Sequence, residues 1–66
     1  MTINVNNQIY SISENCSIEK LLEQLGIVTN GIAIAINNEI ITKENWNQKV
    51  VREHDIVTII QATQGG

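Results

Sequence analysis

Asn-Asn occurs twice in this chain, at Asn6-Asn7 and Asn37-Asn38, and each pair lies between two short apolar runs. Asparagine accepts the positive φ that a two-residue type I′ turn demands, so each pair reads as a tight β-hairpin. With Asn6 and Asn7 as the loop residues, Val5 lies opposite Gln8 and Ile3 opposite Tyr10. Ile3, Val5, Tyr10 and Ile12 then share a core face, and Ile9 points outward. In the second hairpin Ile34 and Ile36 face one side, Ala33 and Ala35 the other.

Between the hairpins lies the only strong helix signal, "SIEKLLEQLG". Ser17 is a good N-cap. Ile18, Leu21, Leu22 and Leu25 form an apolar stripe at helical spacing, and Gly26 sits where a left-handed terminator belongs. After the second hairpin, "KENWNQKVV" reads as a helical turn or compact loop, with Trp46 as its packing anchor. Last comes the strand "DIVTIIQA", with Val57 and Ile59 on one face and Ile56, Thr58, Ile60 and Ala62 on the other. Apolar residues on both faces predict a central strand, or one whose outer face another protein covers. The order is β-β-α-β-β-β: an α+β fold of the β-grasp type, one helix packed on one face of a small mixed sheet. The first and last strands are candidates for a parallel pair. Residues 1–66 form one domain, and the tail 63–66, "TQGG", is expected to be flexible.

Composition narrows the function. Cys16 is the only cysteine, so no internal disulfide can form, and with His54 as the only histidine a structural zinc site is not available. The net charge of −3 and the near absence of aromatics, Tyr10 and Trp46 alone, argue against nucleic-acid binding and anionic membranes. The N-terminus "MTINVNN" lacks the basic and apolar regions of a signal peptide, and "IAIAI" is too short to span a bilayer. These features predict a cytoplasmic protein. The seven acidic side chains are scattered, and no nucleophile–base pair or phosphate loop supports an enzyme. Cys16 reads as a small, partly buried filler and His54 as a turn residue.

The sequence closes on Gly65-Gly66, a pair that arises by chance at roughly 0.5%. Glycine has no side chain to react, so any chemistry there belongs to the α-carboxylate. A carboxylate is ionised at neutral pH and is a poor electrophile until an enzyme converts it to a mixed anhydride such as an acyl-adenylate. Residues without Cβ atoms suit a chain that must thread a narrow active site.

The whole chain resembles the ThiS family, the sulfur carriers of bacterial thiamine (thiazole) biosynthesis. The resemblance rests on "INVNNQIY", "SIEKLLEQLGI", "IAIAINNEII", "KENW" and "HDIVTIIQATQGG", in that order and spacing. It implies a ubiquitin-like β-grasp fold and a carrier with no catalytic residue and no bound cofactor. Gly66 would be the site of covalent attachment, with Gly65 and Gln64 threading into the partner. A ThiF-like adenylyltransferase would use ATP and magnesium to activate the carboxylate. A persulfide enzyme would supply sulfur, and a ThiG-like thiazole synthase would receive it. The chain departs from the family at His54-Asp55, where Gly-Asp is common, at Thr42 for proline and at Lys43 for arginine. A positive φ at His54 would carry strain, and Lys43 lacks the guanidinium fork.

Ile60, Ala62, Ala33, Ala35 and Thr58 are expected on the sheet face away from the helix, as a docking surface leading to the tail. The free chain is expected to be a monomer. Two rivals remain at this level. The small subunit of molybdopterin synthase is a sulfur carrier with the same kind of fold and ending, usually longer and richer in proline. A β-grasp interaction module would dock without covalent chemistry and would not need Gly65 and Gly66.

Overall fold

The computed structural model describes residues 1–61. The expected tail and Ala62 lie outside them. Strand β1 (Thr2–Val5) turns through Asn6 (φ 50) and Asn7 (φ 67) into β2 (Gln8–Ser11), with the register Ile3↔Tyr10 and Val5↔Gln8 that the sequence predicts. The Asn7 N–H donates to Asn4 Oδ1 at 2.9 Å and ties the turn to the strand before it. Ile3, Val5 and Ile12 are buried, Tyr10 packs half-buried beside them, and Ile9 faces outward.

Helix α1 (Ile18–Leu25) begins where Ser17 Oγ accepts the Lys20 N–H at 3.2 Å. It ends in a Schellman motif. Gly26, at φ 68, donates its N–H to the Glu23 carbonyl, and Ile27 N–H reaches the Leu22 carbonyl at 3.0 Å. The helix buries Ile18, Leu21 and Leu22. Strands β4 (Ile32–Ile36) and β5 (Glu39–Ile41) form the second hairpin around Asn37 (φ 51) and Asn38 (φ 73). Strand β7 (Ile56–Gln61) lies between β1, to which it is parallel, and β4, to which it is antiparallel. The five-stranded order is β2-β1-β7-β4-β5. Val57, Ile34, Ile36 and Ile3 meet the helix side chains in one core.

One expectation needs correction. Val50 and Val51, read in the sequence as part of a polar loop, form strand β6 (Val50–Val51), which pairs with β3 (Cys16–Ser17) in a separate two-stranded sheet. Val51 is fully buried, and the pairing has a capping consequence. The first N–H groups of a helix have no partner within it. Here Ile18 N–H donates to the Lys49 carbonyl at 3.0 Å and Glu19 N–H to the Trp46 carbonyl at 3.1 Å. Before β6 comes a single 3-10 turn (Lys43–Asn45). Trp46 follows it, buried, with Nε1 donating to the Ile41 carbonyl at 2.9 Å. Lys43 Nζ lies 5.9 Å from the Trp46 ring centroid, within cation–π range.

His54 does take a positive φ, 71°. It is the third residue of a turn closed by Asp55 N–H to the Arg52 carbonyl at 3.1 Å, the position where a type II turn favours glycine. Its N–H also donates to the Thr2 carbonyl at 2.8 Å, which holds the turn against β1. Left-handed backbone costs an L-residue about 1–2 kcal/mol, and glycine's freedom in the unfolded chain returns about 0.4–1 kcal/mol. His54→Gly is therefore expected to raise the melting temperature by roughly 2–6 °C. Calorimetry checks it, and a lower melting temperature contradicts the strain. Among the described residues no helix is long and apolar enough to cross a membrane.

Candidate functional site

The face of the sheet turned away from α1 is built by the strand alternation. On β7 it carries Ile56, Thr58 and Ile60, while Val57 and Ile59 point to the core. The register places Ala35 between Thr58 and Ile40, and Ala33 opposite Ile60. On the other flank, Asn4 of β1 stands between Ile56 and Ile9. Thr58, Ile60, Ala33 and Ala35 therefore share one face, as the sequence predicts. Ala35 is nevertheless buried, because its small side chain lies below those of Thr58 and Ile40. It forms floor, not contact surface. Ala62, Gln64, Gly65 and Gly66 lie outside the described residues.

Sequence reasoning left three isoleucines out of this surface. Ile9 is 68% exposed, Ile40 60% and Ile56 54%, beside Ile60 at 49%. All four stand on the same side of one sheet. Ile9 was already read as outward-facing. What a sequence does not show is that β2 and β5, at opposite edges, present Ile9 and Ile40 to the same side as β7. Val28 and Val50, the other exposed large apolar residues, lie in the loop after α1 and on β6.

Polar groups brace the strand that carries this face. The Asn37 N–H donates to the Ile56 carbonyl at 2.8 Å, and Asn37 Oδ1 accepts the Ile56 N–H at 3.0 Å. Asn37 Nδ2 donates to Asp55 Oδ1 at 3.1 Å, while Asp55 Oδ2 accepts the Arg52 N–H at 2.8 Å. The second hairpin is thus fastened to the turn that starts β7.

Cys16 is buried, and its environment does not favour a thiolate. Desolvation by burial pushes the thiol above its ordinary value of 9.0, and the positive charge of Lys20 only partly opposes this. A thiol held neutral is a slow nucleophile. We expect iodoacetamide at neutral pH to modify Cys16 far more slowly in the folded protein than in urea. Equal rates contradict the buried, neutral thiol. A raised folded pKa also gives a sign for stability: the contribution is fully present below pH 9.0 and is lost as pH rises through the folded value. Among the described residues, no group of three His, Cys, Asp or Glu side chains is placed to hold a metal ion.

Comparison with known proteins agrees with this architecture. The sequence matches the ThiS family over residues 3–66. It is 35% identical to the sulfur carrier protein ThiS of Escherichia coli (strain K12), over 66 residues and the full length of both chains. The fold superposes on the crystal structure of a thiamine biosynthesis protein (ThiS) from Geobacter metallireducens with a TM-score of 0.87, at 22% identity and over 100% of both chains. The solution structure from the same organism gives a TM-score of 0.79 at 22% identity, covering 100% of this chain and 88% of that one. Since the match runs from the first strand to the final glycine, the chain belongs to the ThiS family.

Proposed function

We propose that this chain is a sulfur carrier of thiamine biosynthesis that works through the α-carboxylate of Gly66. The observation that carries the reading is the family match that extends through Gly66, together with a carrier relative spanned over its whole length. The protein is a co-substrate and the partner enzymes are the catalysts. A ThiF-like adenylyltransferase, using ATP and magnesium, lets the Gly66 carboxylate attack the α-phosphorus, and pyrophosphate leaves. A persulfide sulfur then attacks the acyl carbon and displaces AMP. Reductive cleavage of the S–S bond by a thiol leaves a thiocarboxylate, whose sulfur passes to a ThiG-like thiazole synthase. Gly65 and Gly66 carry the carboxylate through the narrowest part of the enclosed site, where a Cβ would be least welcome, and Gln64 follows them at the wider entrance.

The outer sheet face supplies the docking. Ile60, with Ile56, Thr58, Ala33 and the edge residues Ile9 and Ile40, covers the partner's surface beside its catalytic entrance. The net charge of −3 suits a partner with a basic rim.

Two measurements test this. Incubation with an active ThiF-like enzyme, ATP, magnesium and a sulfur source should raise the intact mass by the difference between sulfur and oxygen. No gain with a demonstrably active partner overturns the thiamine-type carrier and favours the non-covalent interaction module. Loading with sulfur followed by transfer only to a molybdopterin synthase large subunit moves the carrier to that pathway. Ile60→Glu, at a position 49% exposed in the free protein, should weaken binding to the adenylating enzyme at least about tenfold in calorimetry without unfolding the chain. An unchanged Kd removes Ile60 from the interface.

A further inference from the structure

We infer that Asn6 is a positioning residue: its side-chain amide extends β1 by one rung and fixes the last part of β7, from which the reactive end of the chain departs. This rests on the carrier reading for its functional consequence, but its structural basis is independent. On the β1 side of β7, Asp55 and Val57 turn their carbonyls toward the neighbour: Asn4 N–H donates to Asp55 and Asn6 N–H to Val57, each at 3.0 Å. Strand alternation makes Ile59 the next residue to present its peptide groups on that side. There β1 has already turned away into its hairpin. In its place stands the Asn6 amide. Ile59 N–H donates to Asn6 Oδ1 at 2.8 Å, and Asn6 Nδ2 donates to the Ile59 carbonyl at 3.3 Å. A primary amide carries the donor and acceptor of a peptide group, so it can stand in for the missing strand residue. Asn6 is thus placed at φ 50 for two reasons: the turn needs a left-handed residue, and the clamp needs an amide there.

Without the clamp, Ile59–Gln61 would be held only through β4, and one edge of the strand would be open at the end of the described residues. Docking through the outer face would persist. The reactive carboxylate, however, would sample a wider volume around the partner's catalytic site, which lowers its effective concentration there.

The test uses Asn6→Gly, which keeps the left-handed turn and removes the amide, and Asn6→Asp, which keeps the acceptor for Ile59 N–H and loses the donor. Hydrogen exchange at the Ile59 amide should accelerate roughly tenfold in Asn6→Gly, the effect of one typical hydrogen bond. Leu22 and Leu25 in the helix should keep their protection, and Asn6→Asp should restore part of the protection at Ile59. With the adenylating enzyme, kcat should fall by up to about tenfold while KM stays constant. Unchanged exchange at Ile59 in Asn6→Gly overturns the clamp. Faster exchange with unchanged kcat overturns its role in positioning. A raised KM with unchanged exchange overturns it in favour of direct partner contact. Failure of the wild-type chain to be adenylated overturns the carrier reading and the functional role of Asn6 together, while the exchange data, which need no partner, separately judge the clamp.

Discussion

Deletion of Gly65 and Gly66 should abolish the sulfur-dependent mass gain, rather than slow it. An extended residue spans at most about 3.3–3.6 Å, so losing two withdraws the carboxylate by up to about 7 Å. Reacting atoms must approach to about 3–3.5 Å, and a misplacement of about 1 Å can already cost 10²-fold. The truncated chain would also have to bring the Gln64 side chain into a channel shaped for glycine. Deletion removes only residues beyond the described 1–61, and the variant should melt with the wild-type protein. The assay is intact mass after incubation with a partner whose activity on wild-type chain is shown in parallel. A mass gain in the truncated chain would move the reactive group away from Gly66.

The second large effect concerns the fold. Ile34→Ala should lower the melting temperature by more than about 10 °C, and the variant should be partly unfolded at 37 °C. Ile34 is fully buried on β4 and stands between Ile41 on β5 and Ile59 on β7. Removing an isoleucine side chain to alanine in such a place costs about 2–5 kcal/mol, because close-packed neighbours cannot fill the space. A chain this size has about 3–10 kcal/mol of stability in total, and each lost kcal/mol lowers the midpoint of a small domain by about 4–8 °C. Thermal and urea denaturation followed by circular dichroism measure both quantities. A fall of less than about 3 °C would mean the sheet repacks around the missing atoms.

Most of the architecture was legible because its signals are local. The register of the first hairpin follows from placing Asn6 and Asn7 in the loop. The helix limits follow from Ser17, the Ile18–Leu25 stripe and Gly26. The central place of β7 follows from apolar residues on both of its faces. What escaped is what depends on partners far along the chain. Val50 and Val51 are two apolar residues after a polar stretch, and only the pairing of β6 with β3 shows that Val51 is core while Val50 is exposed. Asn6 carries a strong turn signal, which hides its second role because Ile59 is remote in sequence. The docking face was half legible. Ile60, Thr58, Ala33 and Ala35 follow from alternation within the last strand and the second hairpin. Ile56 follows from the same alternation but was not counted in the docking set, and Ile9 and Ile40 join them only once the order of strands is known. The burial of Ala35 depends on the size of its neighbours, which alternation does not report. The docking and tail chemistry rest on family membership and on the tests above.

The middle strand of the sheet is also the last of the described elements to be synthesised. Translation produces the β1–β2 pair and the β4–β5 pair before the strand that joins them. Until residue 56 and those after it emerge, each pair presents an unsatisfied strand edge, and the apolar faces of the two halves have no common centre. Cooperative assembly therefore waits for β7, and the contacts that close the sheet are long-range ones, with Asn4 paired to Ile56 and Val5 to Val57. A ribosome that stalls before this point releases a product with open edges, suited to aggregation or proteolysis. If Gly66 carries the proposed chemistry, the arrangement couples quality control to it: a chain able to fold has already been read through β7.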